Sequence, residues 1–174
     1  MVQHNVLKIN ISKIKIEILV PDFRLCTTQA LKILSNTKIN VFNHNIETVR
    51  SLSPRVRHKA SYDRTLGVLK YVKSQNKAQF VKSGIMVGLG ETENEVKETI
   101  RDLYEAGCDI ITIGHYLQAS RLKIPVKRFI TPEEFKEYEE YGLSIGVKHM
   151  YCGPFVRSSY NADLSLKATA HKGS

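Results

Sequence analysis

A chain of 174 residues with 42% apolar and 25% charged residues is sized for one globular domain. No apolar run approaches the roughly 18 residues of a membrane span, the start lacks the pattern of a secretory leader, and Cys26, Cys108 and Cys152 are too scattered for a disulfide scaffold or metal finger. The net charge of +9 is lopsided, with 15 Lys and Arg against 4 Asp and Glu in residues 1–82 and 11 against 13 in residues 83–174; no nucleic-acid motif accompanies the basic half, so neither nucleic acid nor membrane is an expected partner.

In chain order, apolar runs bounded by turn residues alternate with segments of helical period. Strands are expected over 15–20, 40–43, 80–87, 109–113 and 147–151, and helices over 27–35, 61–74, 93–106 and 132–145. Thr92 followed by Glu95, and Thr131 followed by Pro132 and Glu134, are capping-box starts. Gly107 and Gly146 stop the same two helices. Such alternation specifies an α/β fold with a parallel sheet. A closed eightfold βα barrel takes about 250 residues, so the expected fold is an arc of a TIM-type (β/α) barrel over residues 15–163. A divergent segment, 1–14, and a flexible tail, 164–174, flank it.

Barrels of this kind place their reactive groups at the C-terminal ends of strands, and four segments there carry candidate chemistry. Phe42-Asn43-His44-Asn45-Ile46-Glu47 crowds hydrogen-bonding groups after a short strand, suited to an amino acid or ribose; an Asn-rich turn capping itself is the ordinary alternative. Lys82-Ser83-Gly84-Ile85-Met86-Val87-Gly88-Leu89-Gly90-Glu91 runs a strand into a glycine pair before a helix, where backbone can approach a ligand. His115 follows the fourth strand as a possible base or ligand, although a lone histidine is more often a satisfied polar group. Gly153-Pro154-Phe155-Val156-Arg157-Ser158-Ser159-Tyr160 breaks the fifth strand and brings a cation and hydroxyls toward the barrel mouth. Cys108 and Cys152 fall at element junctions, as small hydrophobes do.

Gly84-x-Met86-x-Gly88-x-x-Glu91 resembles the adenine-contact element of radical S-adenosylmethionine (SAM) enzymes. Together with Val20-Pro21-Asp22-Phe23-Arg24, Phe42-Asn43-His44-Asn45, Pro54-Arg55-Val56-Arg57 and Arg157-Ser158-Ser159-Tyr160, it makes the sequence similar to lipoyl synthases from Lys15 to about Asp163. The resemblance implies the radical SAM fold lacking its N-terminal half. It also implies insertion of two sulfur atoms into protein-bound octanoyl-lysine, with two 4Fe-4S clusters and S-adenosylmethionine as cofactors. It assigns Asn43, Asn45, Glu47, Gly88, Gly90 and Glu91 to the S-adenosylmethionine side. Arg157 falls on the auxiliary-cluster side, and Ser159 becomes an iron ligand, with Ser158 as the alternative.

The cluster-binding cysteine motifs of that family are missing, so the chain is expected to be inactive by itself. A separately encoded N-terminal half is then an expected partner; the competing expectation is a non-catalytic remnant that holds S-adenosylmethionine or a lipoyl-carrier domain. Octanoylated carrier domains, the E2 subunits of 2-oxoacid dehydrogenases and the glycine cleavage H protein, are the implied substrates. The basic stretch of Arg50, Arg55, Arg57, His58, Lys59 and Arg64 would dock them. His115 and Ala119 stand where the family usually has Gln and Pro. The start lacks the Arg- and Ser-rich pattern of a transit peptide, which favours the cytoplasm over the mitochondrial matrix.

Overall fold

The computed structural model describes residues 15–22, 29, 39–57, 60–76 and 78–159. The expected helix over 27–35 and the flanking segments 1–14 and 164–174 lie outside those residues, apart from residue 29. The elements are β1 (Glu17–Leu19), β2 (Ile39–Asn43), α1 (Ser53–Val56), α2 (Tyr62–Ser74), β3 (Ala78–Val87), α3 (Glu93–Glu105), β4 (Ile110–His115), α4 (Pro132–Ser144) and β5 (His149–Gly153). The five strands form one sheet in the order β1-β2-β3-β4-β5. Every neighbouring pair is parallel, the α/β arc expected of a partial TIM-type barrel.

Strand periodicity of two separates the faces of the arc. Phe42, Val81, Ile85, Ile111 and Ile113 point outward and share one core with Leu69 of α2, Ile100 and Leu103 of α3, and Tyr138 of α4. Ile100, Leu103, Ile111 and Ile113 are fully buried, and each such side chain contributes about 1.5–3 kcal/mol. A smaller apolar layer of Val41, Phe80 and Ile110, with Tyr151 against it, fills the inner face at the bottom of the arc.

Both capping boxes form. Thr92 and Thr131 each accept an N–H from Glu95 or Glu134, whose side chain returns the bond to the cap N–H. Gly107 (φ 88°) and Gly146 (φ 110°) then end the helices in left-handed backbone. Asp109, expected to open β4, instead anchors the strand below its start. Its buried carboxylate accepts the Val81 N–H at 3.0 Å and meets the Lys73 and Lys148 ammonium groups at 2.6 Å each. Burial pushes that carboxyl upward, but Lys148, Lys73 and the amide together hold it below its ordinary value.

Two strand ends differ from expectation. β4 runs past its expected end through Gly114 to His115, and β5 runs to Gly153, which read as the breaker of that strand. Gly114 and Gly153 pair directly in the ladder. Gly114 is needed because the main chain of Val156 crosses its inner face: an added Cβ would lie 2.0 Å from the Val156 carbonyl oxygen.

Candidate functional site

The upper inner face of the arc is built from small side chains. Gly84 pairs with Thr112, Met86 with Gly114, and Gly114 with Gly153. With no bulk there, a cavity of about 200 Å³ opens at the C-terminal ends of the strands, lined among others by Asn45, Glu47, Met86, Thr112, Arg157 and Ser158. A Cβ on Gly84 would come within 2.9 Å of Thr112 Oγ1 and 3.1 Å of Asn45 Oδ1, so this glycine keeps the polar end of the cavity open.

Asn45 and Glu47 reach the cavity because the chain after β2 re-enters the sheet. The Glu47 N–H donates to the Gly84 carbonyl at 2.9 Å, and its own carbonyl accepts the Met86 N–H at 2.8 Å. Glu47 takes a positive φ of 70° to do this, a conformation costing about 1 kcal/mol outside glycine. Burial raises its carboxyl, and the Asn45 amide and the Arg57 cation only partly offset the rise. Asn45 Oδ1 is buried with no hydrogen-bond partner among the described residues, an acceptor left over for a ligand.

Behind this pair lies a buried polar brace. His44 places Nδ1 2.9 Å from the Val20 carbonyl and Nε2 3.1 Å from Asp22 Oδ1. Asp22 also pairs with Arg57 Nη2 at 3.1 Å, and Arg57 Nη1 donates to Thr65 Oγ1 at 2.8 Å. Burial lowers the His44 pKa, and Arg57 adds to the fall against the pull of the Val20 carbonyl and Asp22. The motifs around Asp22, His44 and Arg57 thus support the cavity wall from outside.

The structure therefore brings Asn45, Glu47 and Arg157 together on one cavity, with Ser158 beside them. Asn43 sits beneath it, its amide donating to Glu17 Oε1 at 3.0 Å and to the Ser158 carbonyl at 3.2 Å. Ser159 is exposed and outside the lining. The Arg157 guanidinium donates to the Val156 carbonyl at 2.7 Å, bracing its own loop.

Gly88, Gly90 and Glu91 do not line the cavity. The buried Glu91 carboxylate accepts the N–H groups of Gly88 and Leu89, closing the turn on itself. Gly88 (φ 99°) is required for a local reason: a Cβ there would lie 2.6 Å from His115 Cε1 and 2.8 Å from the Arg128 carbonyl. His115 is a satisfied histidine. Its Nε2 accepts the Ile130 N–H at 3.1 Å, which leaves Nδ1 to donate to the Tyr116 carbonyl at 3.0 Å.

Lys82, which opens the glycine-rich segment without an assigned role, is 1% exposed on the inner face and paired with Glu17 at 3.1 Å. A lysine inside the run Phe80-Val81-Lys82-Ser83-Gly84-Ile85 was the available signal, since a charge on a buried strand must have a partner. Thr112 does not stand out within an apolar strand, whereas Met86, part of the adenine-contact resemblance, lines the cavity.

No group of three or more His, Cys, Asp or Glu that could hold a metal ion occurs among the described residues. Cys108 and Cys152 are free, and burial raises both thiols, so neither is a ready thiolate. The described residues alone do not fit an iron–sulfur cluster. The cavity does fit an amino-acid or nucleoside ligand, with the unpartnered Asn45 oxygen, the Glu47 carboxyl and a glycine cradle for close approach.

The family profile described as Radical SAM superfamily matches residues 2–103, more than half of the chain. The chain is 56% identical over 161 residues to the lipoyl synthase of Protochlamydia amoebophila, covering 91% of this chain and 50% of that protein. It is 50% identical over 153 residues to the lipoyl synthase of Caldanaerobacter subterraneus, covering 88% and 54%. To the lipoyl synthase of Buchnera aphidicola it is 49% identical over 154 residues, covering 88% and 49%. The chain spans about half the length of the curated relatives it matches. With a parallel arc, a cavity at its strand ends and these relatives, the chain belongs to the radical SAM superfamily and resembles its lipoyl synthases.

Proposed function

We propose that this chain supplies the S-adenosylmethionine-facing wall and the auxiliary-cluster loop of a lipoyl synthase, which inserts two sulfur atoms into protein-bound octanoyl-lysine. The observation that carries this reading is one cavity in which Asn45 and Glu47 share a lining with Arg157 and Ser158. S-adenosylmethionine would supply the radical chemistry when bound and reductively cleaved. The chain's own residues bind and orient: Asn45 Oδ1 accepts from an ammonium or hydroxyl, Glu47 accepts and balances positive charge, and Gly84 admits a flat ring close to the backbone. Gly88, Gly90 and Glu91 then act by holding the rim turn in shape. Ser159 is the one iron ligand the resemblance assigns to this chain; the remaining ligands would have to come from outside the described residues. Among the described residues no helix is long and apolar enough to cross a membrane, which accords with action in the cytoplasm on a carrier protein.

Calorimetric titration of the full chain with S-adenosylmethionine tests the reading. Binding should be saturable and should weaken roughly tenfold or more in Glu47→Gln, which removes the charge and one acceptor, and in Asn45→Ala, which removes the unpartnered oxygen. Absence of binding, or equal affinity in the variants, overturns it. Supplying a cysteine-bearing N-terminal half from a related lipoyl synthase should then yield 5′-deoxyadenosine under strong reductant.

A further inference from the structure

We infer that the loop joining β4 to α4 is the surface on which an acidic protein domain docks to present its substituent to the cavity. The inference deepens the function proposed above and rests on it for the identity of the cargo. Residues 116–129 contain Arg121, Lys123, Lys127 and Arg128 and no Asp or Glu. Arg128 is held by Glu134 at 2.7 Å. Arg121, Lys123 and Lys127 are exposed, and none has an ion-pair partner among the described residues. The same loop exposes Leu122 at 97% and Phe129 at 76%. Apolar side chains largely exposed to water amid unpaired cations are what an interface buries, and solitary surface residues do not combine both features.

The loop is continuous with the cavity, because Tyr116 and Leu117 at its start belong to the lining. It is also held in place. His115 bonds to both ends through the Tyr116 carbonyl and the Ile130 N–H. The Lys127 N–H donates to the Gly88 carbonyl at 2.8 Å, and Gln118 Nε2 donates to the Lys123 carbonyl at 3.0 Å. A surface ordered before binding loses less entropy when it docks.

Charge complementarity selects the partner: a folded domain with carboxylates around a shallow apolar spot, bearing the acyl chain on an extended side chain. The basic stretch around Arg55 serves this purpose less well. Arg50 there is engaged by Asp63 and Asp102, and Arg57 is turned inward to Asp22.

Interferometry with an octanoylated glycine cleavage H protein as probe and the full chain as ligand decides the matter. Reversing the three free cations together (Arg121→Glu, Lys123→Glu, Lys127→Glu) should weaken binding by roughly tenfold or more and flatten its salt dependence, and Leu122→Ser should weaken it at any salt. Arg55→Glu with Arg64→Glu should leave it unchanged. S-adenosylmethionine titration of the loop variants should match wild type, which separates a lost surface from a lost cavity. If the H protein binds through this loop while S-adenosylmethionine binds nowhere, the surface stands and the cavity reading falls. No H-protein binding by wild type, binding that survives the reversals, loss on the Arg55 and Arg64 changes instead, or capture on phosphatidylglycerol vesicles in place of the H protein overturns the inference.

Discussion

The side-chain amide of Asn43 donates a hydrogen bond at 3.2 Å to the main-chain carbonyl of Ser158, 115 residues further along the chain. The same amide donates to Glu17 Oε1 at 3.0 Å, and Glu17 holds the buried Lys82 ammonium at 3.1 Å. A relay across β1, β2 and β3 therefore ties down the loop that carries Ser158 and Ser159. Asn43→Leu keeps similar volume and removes the donors. The loop should open more often by about 1 kcal/mol, roughly a fivefold rise in trypsin cleavage after the exposed Arg157, with a small fall in Tm. Unchanged cleavage would show that the loop is held by other contacts.

How far such features are legible in sequence depends on their range. The two capping boxes and the glycine stops of α3 and α4 are set within four residues, and they form as read. The parallel strands follow from alternation and turn residues, which are also local. Gly153 misleads because a glycine that breaks a strand and one that pairs within it look alike in sequence, and nothing local announces that Val156 crosses Gly114. Gly88, Gly90 and Glu91 carry a ligand-like pattern, but Glu91 is used by its own turn. The four-residue helix α1 is too short for periodicity to show. The Glu17, Asn43, Lys82 and Ser158 relay joins positions whose proximity only the folded arc creates.

His115 offers a test that separates hydrogen bonding from ring packing. Its ring bridges the Ile130 N–H and the Tyr116 carbonyl, and stacks 5.0 Å from Phe129. Glutamine also carries one acceptor and a donor at its end, so His115→Gln should lose no more than about 1 kcal/mol in urea unfolding. His115→Leu leaves a buried N–H without a partner and should lose about 1–3 kcal/mol. Equal losses would assign the role to the stacking.

Asp109 makes stability depend on pH with a definite sign. Its folded-state pKa is depressed below the ordinary carboxylate value, as the two lysines and the Val81 amide outweigh burial. Its contribution is therefore complete above about pH 4, the unfolded value, and is lost as pH falls through the lower folded value. Asp109→Asn can still accept the Val81 N–H but gives up the two ammonium partners. It should destabilise by about 1–2 kcal/mol at neutral pH and flatten the acid limb of the stability profile. An acid limb of unchanged slope would place the titrating group elsewhere.

Glu47 should give S-adenosylmethionine binding a pH dependence of its own. Burial raises its carboxyl above its ordinary value, so it protonates at a higher pH than a surface glutamate. The ionised group offers acceptors to hydroxyls and attracts the positive charge of the ligand; the protonated group loses the attraction and one acceptor. Affinity should fall as pH is lowered through a midpoint higher than that of a surface glutamate. Glu47→Gln should bind weakly with a flat profile across the same range. Glu47→Asp keeps the charge but shortens its reach from a backbone fixed at φ 70°, so it should lower affinity while retaining a titration. Chain integrity at each pH is read from circular dichroism of the same samples. A wild-type profile that persists in Glu47→Gln would remove this carboxylate from the ligand's surroundings and leave Asn45 as the polar contact on that wall.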